Sequence, residues 1–234
     1  MQAHQLFIAN LCAALLGLLL LGLVLHRRDR LSRAFFTHCA TALIVNRLIV
    51  GWPAVFYTRI FWSFKETFYD AITAAVLIEI GCLTFASFPR ARRRLLCACG
   101  GILLIAMATR IAVHQDPAVN SEWYRLWYSV LIPLTRAGTL WICVAMLGIA
   151  AWHRVPLHAF HQALLIGFIL YISIVTVSFA LVSELGPGVQ GYSAAVEQLA
   201  YAATVGLWTW AAWRRAPALS PIRRELQPWA LSAR

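Results

Sequence analysis

The sequence predicts an all-α fold, a polytopic membrane bundle of seven transmembrane helices with its N-terminus outside and its C-terminus in the cytoplasm. Three observations predict it. Hydrophobic residues make up 61% of the 234-residue chain, charged residues only 12%, and the mean hydropathy is +0.71, whereas a soluble domain carries roughly 25% charged residues. Apolar runs of about 20 residues, enough to cross a hydrocarbon core, fill nearly the whole length. The arginines sit in short clusters between those runs, which is the topogenic pattern of a membrane protein. That placement also argues against nucleic acid as the partner of a chain with formal charge +11.

The runs fall near 5–26, 34–54, 66–88, 95–114, 124–150, 158–183 and 191–213. They divide the chain into a seven-helix domain, 1–213, and a basic cytoplasmic tail, 214–234. The first run is no cleaved leader by its pattern: "MQAHQ" lacks a positive segment, and the basic cluster "HRRDRLSR" follows the apolar stretch. Arginine clusters at 27–33, 90–94 and 214–234, with Arg154, fall on one side, against Arg59, Lys65 and Arg125 on the other. The positive-inside rule puts the arginine-rich side in the cytoplasm, where anionic lipid is the expected contact. Between the second and third runs the aromatic stretch "GWPAVFYTRIFWSFKETFY" (51–69) predicts an interfacial helix or re-entrant turn, with Trp52, Tyr57, Trp62 and Tyr69 at headgroup level. Trp208, Trp210 and Trp213 predict a matching belt at the inner end of the seventh run.

Ionisable groups inside these runs are the clearest site signal, because each costs at least about 2.5 kcal/mol at the bilayer centre. Arg47, Arg110 and Arg136 are expected to meet Glu66, Asp70 and Glu79 of the third run and Glu197 of the seventh. Rise per residue places Arg47, Asp70, Arg110 and Glu197 in the outer half, with Glu79 and Arg136 deeper. Glu66 and Asp70 share one helix face, and Glu79, nine residues beyond Asp70, points to the other. His114 follows Arg110 by one turn, and Tyr201 follows Glu197. Two readings stay open: buried ion pairs that fix packing, or a polar cavity, open to the outside, that binds a small polar or charged ligand.

Cofactor chemistry has less behind it. His158 and His161 lie at i and i+3, and His38 at similar depth completes a possible three-histidine site. No carboxylate or other supporting partner accompanies them, so no metal or haem is expected. Retinal proteins share the seven-helix plan but bind their chromophore on a lysine of the last helix. The only lysine here is Lys65, at the start of the third run, which argues against covalent retinal. Membrane hydrolases of the alkaline ceramidase type need histidines in the final helix, which has none.

The stretch "FWSFKETFYDAITAAVLIEIGCLTFASFPRARRR" resembles a region of uncharacterised bacterial seven-helix proteins of acidobacterial type. In these an aromatic segment leads to a glutamate, a long apolar helix, a second acidic residue and a basic loop. Glu66 and Glu79 occupy the matching positions. The resemblance implies a fold and no activity; the expected location of the chain is the bacterial inner membrane, crossed several times. At a coarser level the layout is similar to the seven-helix sensor regions of histidine kinases, without the kinase. The expected role is therefore non-enzymatic: sensing or binding a small ligand and acting through a separate membrane or cytoplasmic partner. A structural or assembly subunit of a larger membrane complex is the alternative, and a membrane enzyme or transporter the third.

Overall fold

A computed structural model describes residues 3–28, 32–56, 58–85, 88–114, 132–152 and 157–214. The tail, the outer loop with Arg125, Arg154 and Tyr57 lie outside the described residues, as do the side chains of Trp62, Arg110 and His114. Among the described residues there are seven long helices: α1 (Ala3–Leu25), α2 (Arg33–Gly51), α3 (Arg59–Thr84), α4 (Pro89–His114), α5 (Ile132–Trp152), α6 (Ala159–Leu185) and α7 (Gln190–Trp213). No strand occurs among the described residues. Among the described residues four segments, Leu6–Leu25, Arg33–Gly51, Phe64–Thr84 and Ala159–Val182, are long and apolar enough to cross a membrane, and Arg136–Trp152 is a shorter apolar helix.

Local chemistry sets the ends. Ser32 caps α2 and Thr58 caps α3, each hydroxyl accepting an N–H of the first turn (Phe35 at 3.4 Å, Phe61 at 3.3 Å). Pro89 opens α4, where a missing N–H costs nothing. Gly186 ends α6 at φ +81°, a backbone conformation that side chains resist. A short 3₁₀ turn, Pro187–Val189, then leads into α7.

Two expected boundaries move. The aromatic stretch 51–69 is a short helix, Pro53–Phe56, followed by the first turns of α3, which begins seven residues before the predicted start. Likewise Arg90, Arg92, Arg93 and Arg94 lie in the first turns of α4 instead of in a loop, because a helix continues through arginine readily once proline has started it.

Each helix packs on its neighbours in sequence, and α7 returns to α1, so the seven close a ring; α3 also touches α5. One end of the ring, the basic end, gathers Arg27, Arg33, Arg92 and Arg214, all exposed. The opposite, distal end holds the α2–α3 turn. Polar side chains stitch α1 to both neighbours through its backbone carbonyls: Thr209 to Leu15 (3.2 Å), Trp213 to Leu18 (3.0 Å) and Asn46 to Ala9 (3.2 Å). Trp213 packs over Gly22, where a Cβ would come within 2.7 Å of the indole nitrogen. Outward faces are apolar, with Phe7, Leu18, Leu104, Trp141, Leu170 and Leu199 exposed, as a hydrocarbon solvent requires.

The core runs through the ring's interior, with Phe35, Leu77, Ile80, Phe160, Leu164, Val205 and Trp208 almost fully buried. Trp208 is therefore a core residue at 2% exposure, and only Trp210 and Trp213 of the expected belt are exposed. Glycine decides the Trp208 position, since a Cβ on Gly167 would collide with its indole.

Candidate functional site

A cavity of about 390 Å³ lies inside the ring, and all seven helices contribute to its wall. Toward the distal end the wall carries Asn46 from α2, Lys65, Glu66 and Asp70 from α3, and Arg136 from α5. Deeper, it passes Tyr69, Tyr171 and Tyr201 and ends on His38, Leu77, Phe168 and Trp208. Most of the other lining residues are aliphatic. The volume falls within the roughly 300–1,000 Å³ of small-molecule sites.

Glu66 organises the charges. Lys65 Nζ lies 2.9 Å from one carboxylate oxygen and Arg136 Nη2 lies 3.7 Å from the other. The Arg136 guanidinium also sits over the Phe179 ring at 4.7 Å, and Lys65 over Tyr69 at 6.0 Å. Asp70, one helical turn beyond Glu66, is on the same wall. Arg136 and Glu79, expected at the same deeper level, do not meet. Arg136 lies in the first turns of the described α5, near the distal end, and meets the carboxylate at its own depth.

Glu79 serves another purpose. It faces away from the cavity to the start of α2, where its carboxylate accepts from Ser32 Oγ, Arg33 N and Ala34 N, each at 2.9 Å. Arg47 likewise misses the cavity: it is exposed on α2 and donates to Asn10 Oδ1 at 3.0 Å. Glu197 is half-buried on α7 and is not part of the wall. Of the residues expected to line an outer cavity, Asp70 does so; Arg47 and Glu197 do not, and the Arg110 and His114 side chains lie outside the described residues.

His38 is 8% exposed inside an aromatic box. Phe35 stacks on it at 6.3 Å, and Tyr69, Phe168 and Trp208 approach edge-on at 5.6, 5.8 and 6.4 Å between ring centres. The three histidines do not converge. Phe35 and Phe160 stand between His38 and His161, while His158 and His161 are 5.8 Å apart at the α6 start. Among the described residues no group of three or more metal-ligating side chains comes together. His158 Nδ1 instead accepts the Phe160 N–H at 3.2 Å as a helix cap. Burial, and then the charge of Arg28, lower the affinity of His158 for a proton, which favours the neutral ring that this acceptor role needs.

Several wall residues keep unspent hydrogen-bonding capacity. His38 Nδ1, Arg136 Nη1 and Trp208 Nε1 are enclosed without a partner. Tyr69, Tyr171 and Tyr201 make ring contacts, with Tyr171 and Tyr201 at 5.6 Å, and no hydrogen bond to a described residue. Sequence reasoning missed Lys65, Tyr69 and Tyr171 as cavity residues. Lys65 and Tyr69 stand one turn apart on the Glu66–Asp70 stretch, a spacing that could have revealed them; Tyr171, amid an apolar run, had no such signal.

Comparison with protein-family models, with curated proteins and with solved structures finds no match for this chain. The fold and these side chains therefore carry the functional reading.

Proposed function

We propose that the chain is a seven-span protein of the bacterial inner membrane, N-terminus outside, that senses or binds a small ligand through the distal end of its ring. Ligand binding shifts helix packing, and a separate partner reads the shift at the basic, cytoplasmic end. That end also meets anionic lipid. The supporting observation is the central cavity, to which all seven helices contribute and where three tyrosine hydroxyls make no hydrogen bond to a described residue. A packing device alone has no use for such a space, because unfilled volume and unsatisfied polar groups both cost stability. A ligand that fills the volume and engages the hydroxyls recovers both.

Filling the cavity separates the two cases. Thr73 is a half-buried wall residue on α3, and Thr73→Trp places an indole in the void. In a thermal-shift screen of small metabolites, at least one compound is expected to stabilise the wild type by about 3 kcal/mol at a hundredfold excess over its Kd. The Trp variant should stay folded and lose that response. A variant that is simply more stable, with no compound acting on the wild type, would make the cavity a packing defect.

Topology has its own check. A fluorescent-protein fusion after residue 214 should fluoresce, and an alkaline phosphatase fusion at the same point should be inactive, because seven spans put the two termini on opposite sides. Active phosphatase there would reverse the orientation or change the number of spans.

A further inference from the structure

We infer that the cavity takes a neutral, flat aromatic molecule carrying carbonyl acceptors, the chemistry of a quinone or an aromatic ketone. The inference rests on the ligand-binding reading above and names the class of ligand. Charge is the first argument. The ionised side chains of the wall balance in charge: Glu66 engages Lys65 and Arg136, and Asp70 is not free either, which leaves Arg136 Nη1 as one more donor. An incoming cation would meet Lys65 and Arg136, and an incoming anion Glu66 and Asp70, with no counter-charge left over. A neutral molecule avoids both penalties.

The uncommitted groups argue for acceptors on that molecule. The Tyr69, Tyr171 and Tyr201 hydroxyls have no hydrogen-bond partner among the described residues, and each donates readily to a carbonyl oxygen. His38 Nδ1 is enclosed without a partner. A bare lone pair there is cheaper than an orphaned N–H, so the ring proton belongs on Nε2, a further donor. Carbonyl oxygens answer these donors without bringing a charge.

Shape is the third argument. The deep end is walled by ring systems: His38 against Phe168 and Trp208 at 5.8 and 6.4 Å, and Phe168 against Trp208 at 4.9 Å. Above them Tyr171 and Tyr201 lie 5.6 Å apart. A flat ring presents its face and edge to such walls at favourable geometry, and about 390 Å³ accommodates one molecule of that size.

Isothermal titration of the purified full-length protein in detergent tests this with three probes of similar bulk. Duroquinone is neutral and carries two carbonyls; 2,4,6-trimethylbenzoate is the anion and phenyltrimethylammonium the cation. Duroquinone is expected to bind at least tenfold more tightly than either ion. Tyr201→Phe and Tyr171→Phe, which keep the ring and remove the hydroxyl, should each weaken it about fivefold, the value of one neutral hydrogen bond. Tighter binding of either ion overturns the neutral class and leaves the cavity reading standing. Duroquinone affinity unchanged in both tyrosine variants overturns the donor assignment, even if one variant folds poorly. No heat with any probe overturns the proposal, while the Thr73→Trp screen decides the cavity reading separately.

Discussion

Replacing Arg28 with alanine is expected to destabilise the protein by about 2–4 kcal/mol. Arg28 is 6% exposed just after α1, following Arg27 in the left-handed region at φ +53°. Its guanidinium reaches across to the end of α7, donating from Nη1 to the Ala211 carbonyl and from Nη2 to the Arg214 carbonyl, and it covers the Phe160 ring at 5.5 Å. The last carbonyls of a helix have no partner within it and carry the negative end of its dipole. A buried cation with a planar fork satisfies two acceptors together. Alanine removes both charged hydrogen bonds and the ring contact at once. Arg28→Lys should recover less than half of the loss, since one ammonium does not reproduce the fork. Unfolding midpoints in mixed detergent measure both variants; an Arg28→Ala protein within about 0.5 kcal/mol of wild type would deny Arg28 the role of cap.

Arg28 also shows what a sequence conveys and what it withholds. Clustered arginines between apolar runs mark a topogenic signal, and helix content follows from the apolar runs themselves. Nothing in "HRRDR" distinguishes Arg28 from Arg27, yet one is buried against α7 and the other is exposed. The difference lies in its acceptors, which are backbone carbonyls 183 and 186 residues away. Carbonyls leave no mark in the order of side chains. Glu79 repeats the lesson with opposite sign, since two of its three donors are backbone N–H groups. Depth arithmetic looked for an arginine partner because only side chains can be counted from a sequence.

The cavity was legible in part for a related reason. Glu66 and Asp70 share a face by helical spacing, and that face does line the interior. Arg136 joins them only because α5 places it near the distal end. Tyr171 and His38 reach the same space from α6 and α2 through the closure of the ring, a property of how helices associate that no single run encodes. The outer aromatic segment divides at Thr58: a short helix, Pro53–Phe56, precedes it, and the helix it caps carries the rest of the segment into α3.

The second large effect belongs to Glu79. Glu79→Ala should cost about 2–4 kcal/mol, because it leaves a serine hydroxyl and two N–H groups at the start of α2 without their carboxylate. The first N–H groups of a helix lack internal partners, and a negative charge there also meets the positive end of the dipole. Glu79→Gln keeps one oxygen acceptor and loses the charge, so about half of the effect is expected. Ser32 supplies the sharper criterion. Its hydroxyl donates to Glu79 and accepts from Phe35 N, so Ser32→Ala alone should cost about 1 kcal/mol. In the double variant the losses should fall short of their sum by about 0.5–1 kcal/mol, the signature of two groups acting on one helix end. Strict additivity would mean that Glu79 acts elsewhere. Coupling would mean that α3 holds the start of α2 through Glu79, just as Arg28 holds the end of α7, so the short connection after α1 is fastened on both flanks.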